Sequence, residues 1–176
     1  MIIGISGKRG SGKDTLAGFL MKKGFEKVSF AAPLKAHVRH FFDMTTEHTD
    51  GALKEIVDPR WNKSPRQIMI DIGQFYRGYD PLFWVKRAFE NMPRLAVLSD
   101  VRFINEADYI RSQGGLLVRL ERRADLNIYK GVIDDISETQ LDNYTFDDYL
   151  PADVNVNMQD LERFAGYLVE KTWNLK

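Results

Sequence analysis

The sequence predicts an α/β fold in which a parallel sheet is flanked by helices on both faces, giving three layers. Three observations carry that expectation. Short apolar runs occur at Ile2–Ser6, Leu95–Leu98 and Leu116–Leu120, as in strands buried on both faces. Between these runs the apolar spacing changes to that of helices. The first run also leads through a glycine-rich turn directly into such a helix.

Taken in order, Ile2 to Ser6 reads as the first strand, and Leu16, Phe19 and Leu20 stripe the first helix. Phe25 to Ala31 reads as a second strand. Pro33 then opens a helix striped by Leu34, Val38, Phe41 and Phe42. Thr45 to Lys63 is polar and irregular. Ser64 caps and Pro65 begins a further helix with Ile68, Ile72, Phe75 or Tyr76, and Tyr79 on one side, and Asp80-Pro81 repeats that start signal. Leu95 to Leu98 is the next buried strand, and the helix through Ala107 and Ile110 stops at Gly114-Gly115. Leu116 to Leu120 follows as a strand. A polar stretch from Glu121 to Ile136 leads to Ser137–Tyr144, where Ser137 and Gln140 suit a capping box. Asp153 to Asn157 reads as a last short strand, and Leu161, Phe164, Ala165, Leu168 and Thr172 stripe a closing helix. Strands alternating with helices imply right-handed crossovers, with ligands at the carboxyl ends of the strands.

Composition narrows the function. The 176 residues are 44% apolar and 28% charged, which suits one soluble domain spanning 1–176. Twenty-five basic residues balance twenty-five acidic ones, so net charge does not favour a long polyanion such as DNA, and any anion site must be local. With no cysteine, disulfides, zinc-thiolate sites and thiol nucleophiles are excluded, in keeping with a reducing cytoplasm. The first residues lack the basic flank of a secretory signal, and no apolar stretch approaches a membrane span. His37 and His40 lie three apart on one helix, but neither they nor His48 have carboxylate or cysteine spacing to complete a metal site.

Gly7-Lys8-Arg9-Gly10-Ser11-Gly12-Lys13 satisfies G-x-x-x-x-G-K. Its glycines let backbone N–H groups turn inward around phosphate oxygens, Lys13 reaches the β and γ phosphates, and the following helix adds its dipole. Arg9, Gly10, Ser11, Gly12, Lys13, Asp14 and Thr15 are thus the expected triphosphate contacts. Asp14 stands where a serine or threonine hydroxyl usually meets magnesium, with Thr15 next. It suits a direct or water-mediated metal contact, a role in orienting the acceptor, or stabilisation of the helix dipole.

The run from Gly7 to Thr15, followed by Ser29-Phe30-Ala31-Ala32-Pro33-Leu34-Lys35, resembles the deoxynucleoside monophosphate kinases of tailed bacteriophages. Asp100-Val101-Arg102-Phe103-Ile104-Asn105-Glu106, Gly114-Gly115 with Arg119 and Arg122, and Ser137-Glu138 extend the resemblance over nearly the whole chain. It implies transfer of the ATP γ-phosphoryl group to a deoxynucleoside monophosphate. The implied fold is a nucleoside-monophosphate-kinase-like variant of the P-loop class with a mobile lid. Animal phosphomevalonate kinase is similar in its own Gly-Lys-Asp cradle. Two departures stand out: Gly73-Gln74-Phe75 where the family has Gly-Thr-Glu, and Asp135 where a histidine is frequent.

Within that plan the expected core is 1–35, 94–120 and 150–176, with an acceptor-binding helical region at about 36–92 and a lid at about 121–140. Phosphoryl transfer requires charge neutralisation and alignment, so Lys13, Asp14, Asp100 and Arg122 are the expected catalytic residues. Magnesium would sit on Asp14, Thr15 and Asp100. Arg102, Arg66, Arg77 and Lys35 are candidates for the acceptor, although solvated surface explains each as well, and Glu138 follows from the resemblance. The resemblance adds Arg119 to the nucleotide contacts, and Arg123 joins Arg122 at the start of the lid. Asp100 equally suits a helix cap or a partner for Arg102. The partners expected are small nucleotides, with no nucleic-acid polymer and no membrane, and a second copy of the chain as the protein partner allowed for. The expected location is the cytoplasm, of the host if the protein is viral.

Overall fold

A computed structural model describes residues 1–8, 10–121, 139–150 and 157–174. The chain divides into two units, Met1–Ser29 with Met92–Lys176, and Phe30–Asn91.

The first unit is built on a five-stranded sheet of β1 (Ile2–Ser6), β2 (Glu26–Val28), β3 (Ala96–Leu98), β4 (Leu116–Leu120) and β5 (Asp148–Leu150), in the order β2-β3-β1-β4-β5. Every pairing is parallel, with Gly4 opposite Leu98 on one side and Leu117 on the other. Alternation along the strands sorts side chains between two faces. On one face Ile3, Ile5, Val97, Leu116, Val118 and Leu120 pack with Leu16, Ala17, Phe19 and Leu20 of α1 (Lys13–Lys22) and with Leu161, Phe164, Ala165 and Leu168 of the last described helix. Gly4 points the other way, toward Ile110 of the helix Ile104–Ser112. A Cβ at Gly4 would lie 2.7 Å from Ile110 Cδ1 and 2.8 Å from Leu117 Cδ2, so a side chain there would displace the ends of both. Because both faces are covered, β1 and β4 are buried along their whole length, which is why their sequences read as unbroken apolar runs.

The second unit is helical: α2 (Ala31–Phe41), α3 (Thr46–Thr49), a 3₁₀ turn at Ala52–Glu55, α4 (Pro65–Tyr79) and α5 (Phe83–Phe89). Val38, Met44, Ile68 and Met69 form its small core, with Leu34, Phe42 and Ile72 against them. Ser64 Oγ accepts from Gln67 N–H and Pro65 occupies the first helical position, as expected from the sequence. Trp84 donates its indole N–H to the Gly73 carbonyl at 3.1 Å, and Tyr76 stacks on Phe83 with ring centroids 4.5 Å apart. The first unit also carries α6 (Ile104–Ser112) and α7 (Met158–Asn174).

The structure differs from the sequence reading in four places. The segment 45–63, read as irregular, contains α3 and the 3₁₀ turn. The helix read from Pro33 begins at Ala31, so β2 ends at Val28 rather than continuing to Ala31. A strand that the sequence reading passed over lies at Asp148–Leu150, while of the strand expected at Asp153–Asn157 only Asn157 is described, outside any strand, and 153–156 lie outside the described residues. Finally, Gln140 Oε1 accepts from the Ile104 N–H at 2.9 Å, while Ser137, its expected capping-box partner, lies outside the described residues. Among the described residues no helix is long and apolar enough to cross a membrane.

Candidate active site

The strand order reverses around β1. From β3 the chain crosses over β1 to reach β4, so the carboxyl end of β1 opens at a topological switch point, where α/β sheets hold their ligands. The loop between β1 and α1 lies there. Gly7 has φ 148°, and a Cβ on it would meet the Leu120 carbonyl oxygen at 2.4 Å and Ser11 Oγ at 2.7 Å. Gly12, just ahead of α1, has φ 97°. Both conformations suit glycine and disfavour a side chain. Ser11 N–H closes the turn on the Lys8 carbonyl at 3.1 Å, and the first intrahelical bond runs from Leu16 N–H to Gly12 at 2.9 Å. The first turn of α1 therefore presents the amides that a helix leaves without internal partners. Lys13 Nζ donates to the Lys8 carbonyl at 2.7 Å, across the loop it is expected to complete.

Asp14 is held from two strands. Its Oδ1 accepts from Lys27 Nζ at 2.7 Å, from β2, and from Ser99 Oγ at 2.8 Å, just past the end of β3. Beside it, Asp100 Oδ2 accepts from Ser29 Oγ at 2.6 Å. Partial burial pushes the Asp14 carboxyl up. Hydrogen bonds from Lys27 and Ser99 and the charges of Lys27 and Lys13 outweigh that and hold it below its ordinary range. The group is thus ionised at neutral pH, and its side chain remains 79% exposed. Parallel pairing of β2 with β3 brings Lys27, Ser29, Ser99 and Asp100 to one edge.

The turn after β3 is fixed by Glu106, which is 4% exposed. Its Oε2 accepts from the Arg102 N–H at 2.8 Å and the Phe103 N–H at 3.1 Å, so the base of Arg102 is set by a buried carboxylate. Arg102 lines a cleft with Ser6, Gly7, Lys8, Val101, Arg119 and Leu141. Arg119, 9% exposed, donates to the Leu141 carbonyl at 2.7 Å and to Asp142 Oδ1 at 2.6 Å, with its guanidinium over the Phe146 ring. Asp142 also lies 3.4 Å from Lys8 Nζ. Arg119 therefore fastens the segment 139–150 to β4, and it does so in the wall of the cleft where a nucleotide contact is expected. In the second unit, Lys35 is paired with Asp50, Arg66 Nη2 lies 2.5 Å from Glu55 Oε1, and Arg77 lies beside Gly73.

The structure brings Lys13, Asp14, Thr15, Asp100 and Arg102 together at the carboxyl edge of the first unit's sheet. Arg9, Arg122, Arg123, Asp135 and Glu138 lie outside the described residues. Lys27 and Asp142 escaped the sequence reading, and Ser29, Ser99 and Glu106 were given no role in it. For two of them a signal existed: Lys27 and Ser29 lie at the carboxyl end of an expected strand, as Ser99 and Asp100 do at the end of another. As donors for a divalent ion, the carboxylates of Asp14 and Asp100 and the hydroxyl of Thr15 are hard oxygen ligands, the chemistry magnesium prefers. Among the described residues no group of three or more His, Asp or Glu side chains converges.

A five-stranded parallel sheet covered by helices, with a glycine cradle leading from its central strand into a helix, defines the P-loop class of α/β proteins. A protein of Thermus thermophilus, TT1252, shares the fold with a TM-score of 0.56 at 16% identity over 97% of each chain. Shikimate kinases from Bacteroides thetaiotaomicron and Aquifex aeolicus give TM-scores of 0.46 and 0.48. No family model matches the sequence. A protein of Acanthamoeba polyphaga mimivirus, provisionally named a deoxynucleotide monophosphate kinase, is 32% identical over 143 residues, covering 69% of this chain and 74% of the viral one. The chain belongs to the family of this mimivirus protein.

Proposed function

We propose that the chain transfers the γ-phosphoryl group of ATP to a deoxynucleoside monophosphate, giving the diphosphate and ADP. The observation that carries this reading is the cradle's first helical turn, where Asp14 is ionised and held to the ends of β2 and β3 by Lys27 and Ser99. The name of the mimivirus relative supports the acceptor class.

In the transfer, an oxygen of the acceptor phosphate bonds to the γ-phosphorus as the bond to the β–γ bridging oxygen breaks, and the charge released on ADP must be neutralised. Lys13 and the amides of the α1 turn supply that neutralisation from one side. Arg102, anchored through Glu106, suits a bidentate hold on the acceptor phosphate. Magnesium would be held by Asp14, Thr15 and Asp100 and would neutralise phosphate charge there. Oδ1 of Asp14 takes the hydrogen bonds from Lys27 and Ser99, which leaves Oδ2 to meet the ion directly or through a water. Arg122 and Arg123 are proposed to close from a lid over the triphosphate.

The test is an ADP-release assay with each common ribo- and deoxynucleoside monophosphate and with phosphomevalonate. Turnover with one or more deoxynucleoside monophosphates is expected, with loss of at least a thousandfold in Lys13→Ala at unchanged circular dichroism. Turnover with phosphomevalonate alone would sink the acceptor assignment, and a Lys13→Ala variant within a few-fold of the parent would sink the cradle assignment.

A further inference from the structure

The cradle carries a second lysine. Lys8 follows Gly7, and its carbonyl accepts from both Lys13 Nζ at 2.7 Å and Ser11 N–H at 3.1 Å. Its backbone thus touches the ammonium expected at the β and γ phosphates. The Lys8 side chain is 62% exposed, and its Nζ stands 3.4 Å from Asp142 Oδ2, its carboxylate partner among the described residues.

Asp142 holds two cations in unlike ways. Arg119, with a side chain only 11% exposed, donates to Oδ1 at 2.6 Å and fixes the preceding residue through the Leu141 carbonyl at 2.7 Å. The same segment is pinned at two more points, where Gln140 Oε1 accepts from Ile104 N–H and Asp147 Oδ2 accepts from Leu117 N–H. The carboxylate is therefore built into the wall of the cleft that Lys8 and Arg119 both line. Partial burial pushes its carboxyl up, but the hydrogen bond from Arg119 and the charges of Lys8 and Arg119 outweigh that and keep it ionised at neutral pH. Of the two partners, Lys8 alone combines an exposed side chain with a long separation, so its pairing is the one that costs little to break.

We infer that Lys8 is a further phosphate-binding residue of the cradle, held by Asp142 until a nucleoside triphosphate takes its place. A triphosphate carries several negative charges, whereas Asp142 carries one that Arg119 already shares, so the polyphosphate is the stronger partner for the ammonium. The four-methylene stem of Lys8 rises from a backbone bonded to Lys13, which lets it turn from the wall to the phosphates. Asp142 then acts as a built-in competitor that lowers nucleotide affinity and recovers Lys8 on release. The inference deepens the kinase reading and rests on its placing of a triphosphate at the cradle.

The test is a double-mutant cycle on the full chain, with a non-hydrolysable ATP analogue titrated calorimetrically in the presence of magnesium. Lys8→Met should weaken binding about two- to fivefold, the range an exposed ion pair supports, and Lys8→Arg should stay near the parent. Asp142→Asn, whose amide oxygen can still accept from Arg119, should tighten binding by a similar factor, an effect that damage to the fold would not produce. Most of that tightening should vanish in the Lys8→Met background. Should Asp142→Asn melt well below the parent, the Asp142 carboxyl carbon resonance gives a second reading: it should move when the analogue binds the parent and move much less in Lys8→Met. Equal tightening with and without Lys8, no tightening in a stable Asp142→Asn, or equal movement of the resonance in both proteins would overturn the exchange. Where the parent binds the analogue and these results fail, the inference falls and the kinase reading stands. An intact exchange in a protein that phosphorylates no nucleotide leaves the inference standing and removes the acceptor assignment. A parent that does not bind the analogue overturns both.

Discussion

Replacing Lys27 with methionine separates positioning from stability at the cradle. Lys27 Nζ lies 2.7 Å from Asp14 Oδ1, with the two side chains 40% and 79% exposed. Unit charges at that distance attract by roughly 1.5 kcal/mol in a water-like dielectric. The entropy of holding two exposed side chains brings such pairs down to about 0.2–1 kcal/mol, so the variant should melt close to the parent. Catalysis should respond more strongly. Asp14 would retain Ser99 but lose its cation, and a carboxylate free to rotate at a phosphoryl-transfer site should lower kcat by about tenfold or more, equivalent to at least ~1.4 kcal/mol of transition-state stabilisation. The pH profile supplies a readout that simple loss of packing would not move. Burial raises the Asp14 pKa, and without Lys27 only Ser99 and the Lys13 charge among the named groups oppose it, so the carboxyl should titrate higher. The acid limb of kcat/KM should therefore shift to higher pH in Lys27→Met and return toward the parent in Lys27→Arg. A stable Lys27→Met enzyme with kcat within twofold and an unmoved acid limb would refute the positioning role.

Two further outcomes follow from local geometry. Gly7→Ala combines a positive φ with a Cβ 2.4 Å from the Leu120 carbonyl, so it should cost about 3 kcal/mol or more and abolish ATP binding. A melting temperature within 2 °C of the parent would show that the loop relaxes freely. Asp58 is held down to about 2, chiefly by the side-chain and backbone hydrogen bonds from Arg60. Its contribution to stability is complete above the unfolded-chain value of about 3.9 and is lost as pH falls through about 2. Urea midpoints measured from pH 2 to 5 should thus fall more steeply toward acid in the parent than in Asp58→Asn, and parallel curves would remove Asp58 from the account.

Much of the architecture was legible because its signals are local. The Ile2–Ser6 run, the glycine spacing from Gly7 to Gly12 and the stripe of Leu16, Phe19 and Leu20 each lie within a few residues, and all three appear as read. The fifth strand was missed because Asp148-Tyr149-Leu150 is a three-residue edge strand bonded to β4 alone. Its Tyr149 is 44% exposed and it carries no apolar run. Val154 and Val156 offered a stronger propensity signal nearby. At the site, Asp14 and Asp100 stood out by position, but what holds Asp14 did not. Ser99 is 85 residues away in sequence, and only the pairing of β2 with β3 brings it and Lys27 to the same carboxylate.

The order of the sheet also sets when the cradle can exist. β1 is made before its neighbours β3 and β4, and the Leu120 carbonyl packs against Gly7. Roughly 110 residues must therefore follow the cradle before its loop has a wall to fold against. At bacterial or eukaryotic synthesis rates that delay is about 5–20 s, long compared with the collapse of a small helical unit. The residues of the second unit are translated within that interval. During synthesis the helices of the second unit thus have the chance to fold first, and the cradle, made before them, takes its final form after them.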